Sequence, residues 1–291
     1  SITRTWTATD DCGNSATASQ TIVVQDTTLP VITCPSGSPF TRMTDLNTCY
    51  YTVQDGEFNA TATDSCPWGV TLTNNFNNSS TLSGAHLPPG VHNIIWTATD
   101  ACGNVSTCTI EVTVTDNQAP QVTCPTPPGA DGTITFNTNS GICTYTVTNN
   151  SLDAVATDNC SVVQFTNNIN NTGTLSGQVF NVGTTLVKWT ATDGNFFVNC
   201  QYNVVVVDNQ QPVISTCPPA VTVSGCNTGA ITGFVYSETE VAVPAGQFGS
   251  TGVIASDNCG VTGISYQDVS SGNCPVLVVR TWRVTDAGGN V

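Results

Sequence analysis

Short runs of alternating apolar and polar residues recur along the whole chain. Ile94–Thr99 (IIWTAT), Leu186–Thr192 (LVKWTAT), Thr109–Asp116 (TIEVTVTD) and Tyr202–Asp208 (YNVVVVD) each put every second side chain on one face. Period-2 patterns rich in Val, Ile, Thr and aromatics predict β-strands with one buried face. The runs YTVQ from Tyr51 and TYTV from Thr144 begin further strands. Gly, Asn and Pro clusters separate the runs, and no helical period intervenes. Many short strands within about 90 residues predict an all-β, immunoglobulin-like sandwich.

The pattern repeats. RTWTATDDCGN (Arg4–Asn14), IWTATDACGN (Ile95–Asn104), KWTATDGN (Lys188–Asn195) and RTWRVTDAGGN (Arg280–Asn290) are versions of one block. Their tryptophans Trp6, Trp96, Trp189 and Trp282 lie 90, 93 and 93 residues apart. A second block, Asp followed by Pro and then Cys-Pro, starts at Asp26, Asp116 and Asp208. A third, T-D-S-C, T-D-N-C or S-D-N-C, ends at Cys66, Cys160 and Cys259. Thr73–Gly84 (TNNFNNSSTLSG) and Thr166–Gly177 (TNNINNTGTLSG) match almost residue for residue. Such a period divides the chain into residues 1–26, the closing strands of one repeat; 27–116 and 117–208, complete repeats; and 209–291, a repeat without its last strand. Ser1 and Val291 are expected to be continued by further chain. The links DTTLP, DNQAP and DNQQP are short, and their proline limits bending. The repeated Trp reads as core under the sandwich, with ligand stacking the lesser alternative.

These blocks resemble the HYR, or hyalin repeat, family. The likeness rests on D-x-x-x-P-x-I-x-C-P, T-D-N-C, and W-T-A-T-D-x-x-G-N followed by C-x-x-x-V-x-V-x-D. It implies an immunoglobulin-related fold, an extracellular location and a role in adhesion. A narrower resemblance is to the long surface proteins of Bacteroidota, gliding-motility adhesins among them. The loop cysteine of the pattern is missing after Asp193, and Gly288 replaces it in the last repeat.

Composition narrows the function. Twenty acidic residues face five basic ones, a net charge of −15. Nucleic acid and anionic membrane surfaces are therefore poor partners, since both need clustered Lys and Arg. No apolar run approaches the ~18 residues of a membrane span. With two histidines, no C-x-x-C pair and no nucleophile or phosphate motif, neither zinc nor catalysis is expected. Fourteen cysteines at recurring positions read as disulfides formed in an oxidising compartment. Sandwich geometry puts the loop after the second strand and the loop before the last strand at one end, which pairs Cys160 with Cys200. By analogy follow Cys34–Cys49, Cys124–Cys143, Cys217–Cys226, Cys66 with Cys108 or Cys102, and Cys259 with Cys274 or with a cysteine outside these residues.

The aspartates carry the sharpest signal. Asp26, Asp64, Asp100, Asp116, Asp158, Asp193, Asp208, Asp257 and Asp286 recur in the three blocks, and the sandwich brings one from each block to one end of a repeat. Asp116, Asp158 and Asp193 are thus expected to converge. Two readings stand and are compatible. Hard carboxylate oxygens from several loops suit Ca²⁺ at repeat junctions; alternatively each Asp caps a turn by accepting backbone N–H bonds. Apart from Ca²⁺ no cofactor is expected. N-x-S/T sequons are abundant, and Thr27 in Asp26–Thr27–Thr28 resembles the D-S/T-x acceptor of Bacteroidota O-glycosylation. The leading functional reading is a stalk or filament segment of a cell-surface adhesin, partnered by neighbouring repeats of its own chain and with ligand binding placed elsewhere. The rival is a glycan- or protein-binding module, for which Trp68 and the Phe196–Phe197 pair are the candidate contacts.

Overall fold

The computed structural model describes residues 1–126, 132–162 and 164–291. Two compact units emerge. The first comprises Ser1–Ala119 with Asp158–Ser161, the second Pro120–Thr157 with Val162–Val291.

The first unit starts with a hairpin of β1 (Ile2–Thr9) and β2 (Ser15–Ile22), none of whose residues is buried. It continues through β3 (Val31–Thr33), β4 (Phe40–Met43), β5 (Tyr51–Thr52), β6 (Thr61–Thr63), β7 (Val70–Asn74), β8 (His86–Leu87), β9 (Gly90–Asp100) and β10 (Val105–Thr115). One sheet has the order β4-β10-β9-β7, with β4 parallel to β10 and the other pairs antiparallel. The ladders β3-β6 and β5-β8 supply further strands of the sandwich. Along β10 the alternation dictates the packing: Ile110, Val112 and Val114 are buried, while Glu111 between them is exposed. Together with Trp96, Phe58, Leu82, Leu87 and Ile94 they form one core, against which Ile32 of β3 and Tyr51 of β5 also pack.

The second unit repeats this plan. Its first part runs through β11 (Gln121–Thr123), β12 (Thr133–Asn137), β13 (Thr144–Thr146), β14 (Val155–Thr157), β15 (Gln164–Asn167), β16 (Val179–Asn181), β17 (Gly183–Thr192) and β18 (Phe197–Val207). The sheet order β12-β18-β17-β15, with ladders β11-β14 and β13-β16, matches the first unit strand for strand. Its core gathers Trp189, Val187, Leu175, Leu152, Tyr202, Val204 and Val206. A further part has β19 (Val213–Thr216), β20 (Val241–Ala242), β21 (Ile254–Ser256), β22 (Val261–Ser271) and β23 (Leu277–Asp286), with order β20-β22-β23 and ladder β19-β21. Its smaller core is Val243, Ile264, Tyr266 and Val284. The described residues contain only two short 3-10 turns as helix, Thr228–Ala230 and Ala245–Ser250. The fold is all-β: tandem immunoglobulin-like sandwiches.

The equivalence of the tryptophans is structural. Trp96 and Trp189 are both fully buried and stand opposite Cys108 and Cys200 in register. The indole N–H of Trp96 donates to the Phe58 carbonyl at 3.0 Å. That of Trp189 meets the Tyr202 hydroxyl at 3.5 Å, and this hydroxyl in turn donates to the Leu152 carbonyl. Buried indoles with satisfied N–H groups are core residues, not ligand platforms.

The disulfides differ from every expected pair. Cys34 bonds Cys108, Cys124 bonds Cys200, Cys49 bonds Cys160 and Cys143 bonds Cys259. Hence Cys34–Cys49, Cys124–Cys143, Cys160–Cys200 and Cys66–Cys108 are not formed. Cys66, Cys102, Cys217, Cys226 and Cys274 are unbonded, which removes Cys66–Cys102, Cys217–Cys226 and Cys259–Cys274. Cys259 reaches back to Cys143 and needs no cysteine outside the chain. The physical reason lies in strand parity. Cys108 shares the inward face of β10 with Ile110 and Val112, and Cys200 shares that of β18 with Tyr202 and Val204. Neither lies in a loop. Each points into the core, where the cysteine that follows the first strand of its repeat, Cys34 or Cys124, packs from the other sheet.

Candidate functional site

The recurring aspartates first organise their own loops. Asp64, Asp158 and Asp257 each accept the backbone N–H two residues on, that of Cys66, Cys160 and Cys259, at 2.7, 2.9 and 2.7 Å. Asp26, Asp116 and Asp208 do the same for Thr28, Gln118 and Gln210. Asp100 and Asp286 hold a larger turn. Each takes the backbone N–H of Asn104 or Asn290 on Oδ1 and the side-chain amide on Oδ2. In that turn Asn104 and Asn290 also donate to the carbonyls of Asp26 and Asp208 at 3.2 Å, which ties the linker to the loop. Asp193, whose loop lacks the cysteine, accepts from the N–H groups of Asn195 and Phe196 at 2.7 Å.

Capping uses one oxygen and leaves the other. Oδ2 of Asp26, Asp64, Asp158, Asp193, Asp208 and Asp257 is buried with no hydrogen-bond partner. Within the second unit one carboxylate oxygen from each of Asp208, Asp257 and Asp286 lies within 4.8 Å of the others. Asp208 and Asp286 are 2 % exposed. Asn258 adds a fourth group, one the sequence reading passed over. Its amide donates to Asp208 Oδ1 at 3.1 Å, to Thr138 Oγ1 at 3.4 Å and to the Ile142 carbonyl at 3.2 Å. Those donations leave its own Oδ1 buried and unpartnered. None of the ion pairs among the described residues involves a junction aspartate; Arg42, Arg280 and Arg283 pair with Glu57, Asp268 and Glu240. Burial alone would raise the Asp286 carboxyl, but the hydrogen bonds from Asn290 outweigh it and hold it below its ordinary value. Clustered acceptors without donors are costly, about 1–3 kcal/mol for each buried group and more for a charged one.

The first unit's corresponding group is different. Asp26 and Asp64 are joined by the Cys66 thiol, and Asp100 is not part of the cluster. The Cys66 thiol beside it lowers the Asp26 carboxyl, and the Asp26 carboxylate, with burial, pushes the thiol up to about 11. Asp116 and Asp158 belong to the first unit and Asp193 to the second. The near-identical stretches Thr73–Gly84 and Thr166–Gly177 have a structural role. Asn74 and Asn167 are buried, and each satisfies its own loop through two backbone N–H groups and two amide donations.

The two remaining disulfides run between segments of successive sequence repeats. Cys49 lies in the turn before β5 and Cys160 in T-D-N-C, 111 residues on. Cys143 and Cys259 repeat this at a separation of 116. The Asn before each T-D-N-C or S-D-N-C cysteine docks on the carbonyl before its partner, Asn159 on Thr48 at 2.8 Å and Asn258 on Ile142 at 3.2 Å. The linker glutamines seal the same turns, Gln118 accepting from Asn47 N–H at 2.7 Å and Gln210 from Gly141 N–H at 2.8 Å.

With this geometry the comparison with known proteins is specific. Residues 25–114 match the HYR domain family. Hyalin of Strongylocentrotus purpuratus is 32 % identical over 297 residues, covering 97 % of this chain and 21 % of hyalin. Hyalin of Lytechinus variegatus is 32 % identical over 218 residues, covering 72 % of this chain and 38 % of that protein. The chain thus spans about a fifth of the first relative and under two fifths of the second. Among solved structures, the protocadherin gamma B4 extracellular domain aligns over 98 % of this chain and 55 % of its own, at 15 % identity and a TM-score of 0.32. The N-terminal eight immunoglobulin domains of Down syndrome cell adhesion molecule align over 93 % and 40 %, at 10 % identity and a TM-score of 0.32. No helix among the described residues is long and apolar enough to cross a membrane.

Proposed function

We propose that this chain is a non-enzymatic segment of a longer extracellular adhesive protein, a stalk of HYR-type repeats that carries load between other parts of the molecule. The observation that carries this reading is the pair of staples Cys49–Cys160 and Cys143–Cys259, which tie each repeat to the next. A module that only binds ligand gains nothing from covalent links to its neighbours, whereas a load-bearing array does. Four disulfides support this reading, because such bonds form and persist in oxidising compartments such as the extracellular space. Attachment to a cell surface and a setting in Bacteroidota gliding-motility adhesins rest on the sequence resemblance alone. Thr27 is exposed and offers its hydroxyl as an O-glycan acceptor.

The rival reading, a binding module, is favoured by two exposed aromatics, Trp68 at 73 % and Phe197 at 71 %. A glycan-array screen of the chain separates the two. The stalk account expects no sub-micromolar glycan binding; such binding, lost in Trp68→Ala or Phe197→Ala, would replace it with the module.

Calcium at the repeat junction is the second part of this reading. The residues fit the ion. Asp208, Asp286 and the adjacent pair Asp257 and Asn258 offer hard oxygens from three loops, and those of Asp208, Asp257 and Asn258 include buried acceptors without donors. Ca²⁺ takes six to eight oxygens, so this set with water would hold it. Bound only by the folded state, it would stabilise by about 3 kcal/mol at a hundred times its dissociation constant. Millimolar Ca²⁺ is expected to raise the melting temperature of the chain by several degrees, with reversal by EDTA and loss of the effect in Asp257→Asn. A melting temperature insensitive to both ion and chelator would leave the aspartates as turn caps only.

A further inference from the structure

One tripeptide of the second unit belongs to two structures at once. Asp257 gives a carboxylate oxygen to the acidic cluster, and Cys259, two residues on, bonds Cys143. Asn258 between them connects the two. Its amide nitrogen is clamped on the Ile142 carbonyl at 3.2 Å, immediately before Cys143, and on Asp208 Oδ1 at 3.1 Å. An amide carries its donors on one atom and its acceptor on the other, so fixing the nitrogen fixes the direction of Oδ1. That oxygen is buried and has no donor. The arrangement recurs at the other staple. Asn159, next to Cys160, donates to the Thr48 carbonyl at 2.8 Å and to Asp116 Oδ1 at 3.3 Å, and its Oδ1 is likewise buried without a donor.

Asp208 is the independent sign of a ligand. The residue is almost fully buried, yet its Oδ2 accepts no hydrogen bond. Its Oδ1 is already committed to the Thr138 hydroxyl, the Gln210 N–H and the Asn258 amide. Gln210 ties this linker to the turn before Cys143, donating to Thr138 Oγ1 at 2.8 Å and to the Asn139 carbonyl at 3.1 Å. Three segments, 138–143, 208–210 and 257–259, therefore meet behind the cluster, and one covalent bond locks the first to the third.

We propose that the Cys143–Cys259 staple sets the Ca²⁺ affinity of this cluster, and that bound Ca²⁺ in turn shields the staple from reduction. The proposal rests on the calcium reading above. With the staple closed, Asp257 and Asn258 are held against the linker before the ion arrives. With it open, the ion must itself order their loop, and that cost is taken from its affinity. Linkage is reciprocal: the factor by which the staple strengthens Ca²⁺ binding is the factor by which Ca²⁺ strengthens the staple. Both cysteines are only partly buried, within reach of a small dithiol such as dithiothreitol. The dithiol supplies two electrons and two protons and closes into its cyclic disulfide, while the S–S bond breaks to two thiols. A tenfold difference in affinity is about 30 mV on this two-electron couple. Calcium thus locks the covalent path between repeats, and its removal lets thiols open that path.

Calorimetry and thiol trapping on the full chain test this, with the free cysteines first blocked by iodoacetamide. Titration of Ca²⁺ into the parent and into Asp257→Asn isolates the binding at this cluster. In the double variant Cys143→Ser with Cys259→Ser that component should weaken at least tenfold, and its melting curve without calcium reports whether it folds. The parent is also equilibrated in graded mixtures of reduced and oxidised dithiothreitol, and its thiols are trapped with N-ethylmaleimide and mapped by mass spectrometry. Millimolar Ca²⁺ should raise the reduced-to-oxidised ratio that opens Cys143–Cys259 at least tenfold in the parent and not in Asp257→Asn. This second measurement decides the matter even if the serine variant does not fold. Absence of any binding that depends on Asp257 would remove the calcium reading and the proposal with it. Binding of unchanged strength in a folded serine variant, or a Cys143–Cys259 bond opened at the same ratio with and without Ca²⁺, would overturn the coupling alone. So would an equal shift for Cys124–Cys200 of the same unit, the mark of a general stabilisation of the fold.

Discussion

Replacing Cys124 and Cys200 together by alanine is expected to destabilise the 117–208 sandwich by about 4–5 kcal/mol, the loop-entropy value for a closed loop of this size. The bond spans 76 residues and lies against the core beside Trp189, Tyr202 and Val204. Its loss frees the unfolded chain and also leaves space in the packed interior. A small domain has a total stability of only about 5–15 kcal/mol, so the variant should sit near its unfolding threshold at 37 °C. Urea titration of the parent and the double variant measures the difference. A Cys124–Cys143 bridge, closing a loop of about 20 residues, would contribute only about 3 kcal/mol in the same model, and a loss well below that would contradict the internal bond.

The second large effect is expected in the last repeat. Asp268 is fully buried, and Arg280 meets it with two charge-assisted bonds of 2.7 Å. The guanidinium also donates to the Phe234 carbonyl and lies 4.2 Å from the centre of the Tyr266 ring. Arg280→Ala leaves that carboxylate buried without its cation and should cost about 3–5 kcal/mol. Removing both charges, with Asp268→Leu and Arg280→Met, should recover much of this. The pH dependence has a definite sign. Burial would raise the Asp268 carboxyl, but the bonds from Arg280 and the Ser237 N–H outweigh it and hold it below its ordinary value. The pair's contribution is thus complete above the unfolded value of about 4 and is lost as pH falls through the depressed folded value. Parent and Arg280→Ala should therefore differ fully at pH 7 and converge in acid. A constant difference from pH 7 to pH 3 would contradict this assignment.

The fold was legible because its signals are local and repeated. Period-2 runs around Trp96 and Trp189 define strands, and their recurrence defines the unit. The same parity places Cys108 and Cys200 inside the sandwich, whereas loop position points to Cys160–Cys200, a pair that does not form. The staples to Cys160 and Cys259 were beyond local reading, since they join turns more than 100 residues apart. The aspartates were legible as a class, but their division of labour was not. Only in the folded chain does Oδ1 of Asp208 and Asp257 cap a turn while Oδ2 is left buried. Asn258 escaped notice because one Asn among many carries no signal until its amide is seen committed to Asp208, Thr138 and Ile142. Arg280 was read only as one of five basic residues, although its role is to neutralise a buried acid.

The central claim is that the repeats form one covalently stapled, load-bearing array, and single-molecule extension tests it most directly. The shortest covalent route from Ser1 to Val291 runs to Cys49, across to Cys160, back to Cys143, across to Cys259 and on to the end. At roughly 3.5 Å per residue, that route of about 100 residues extends to roughly 350 Å, against roughly 1000 Å for the open chain. The oxidised protein pulled from its ends should stop near the shorter length, and reductant should release the longer one. An oxidised chain that unravels to the full length would show that the staples are not there to bear the load.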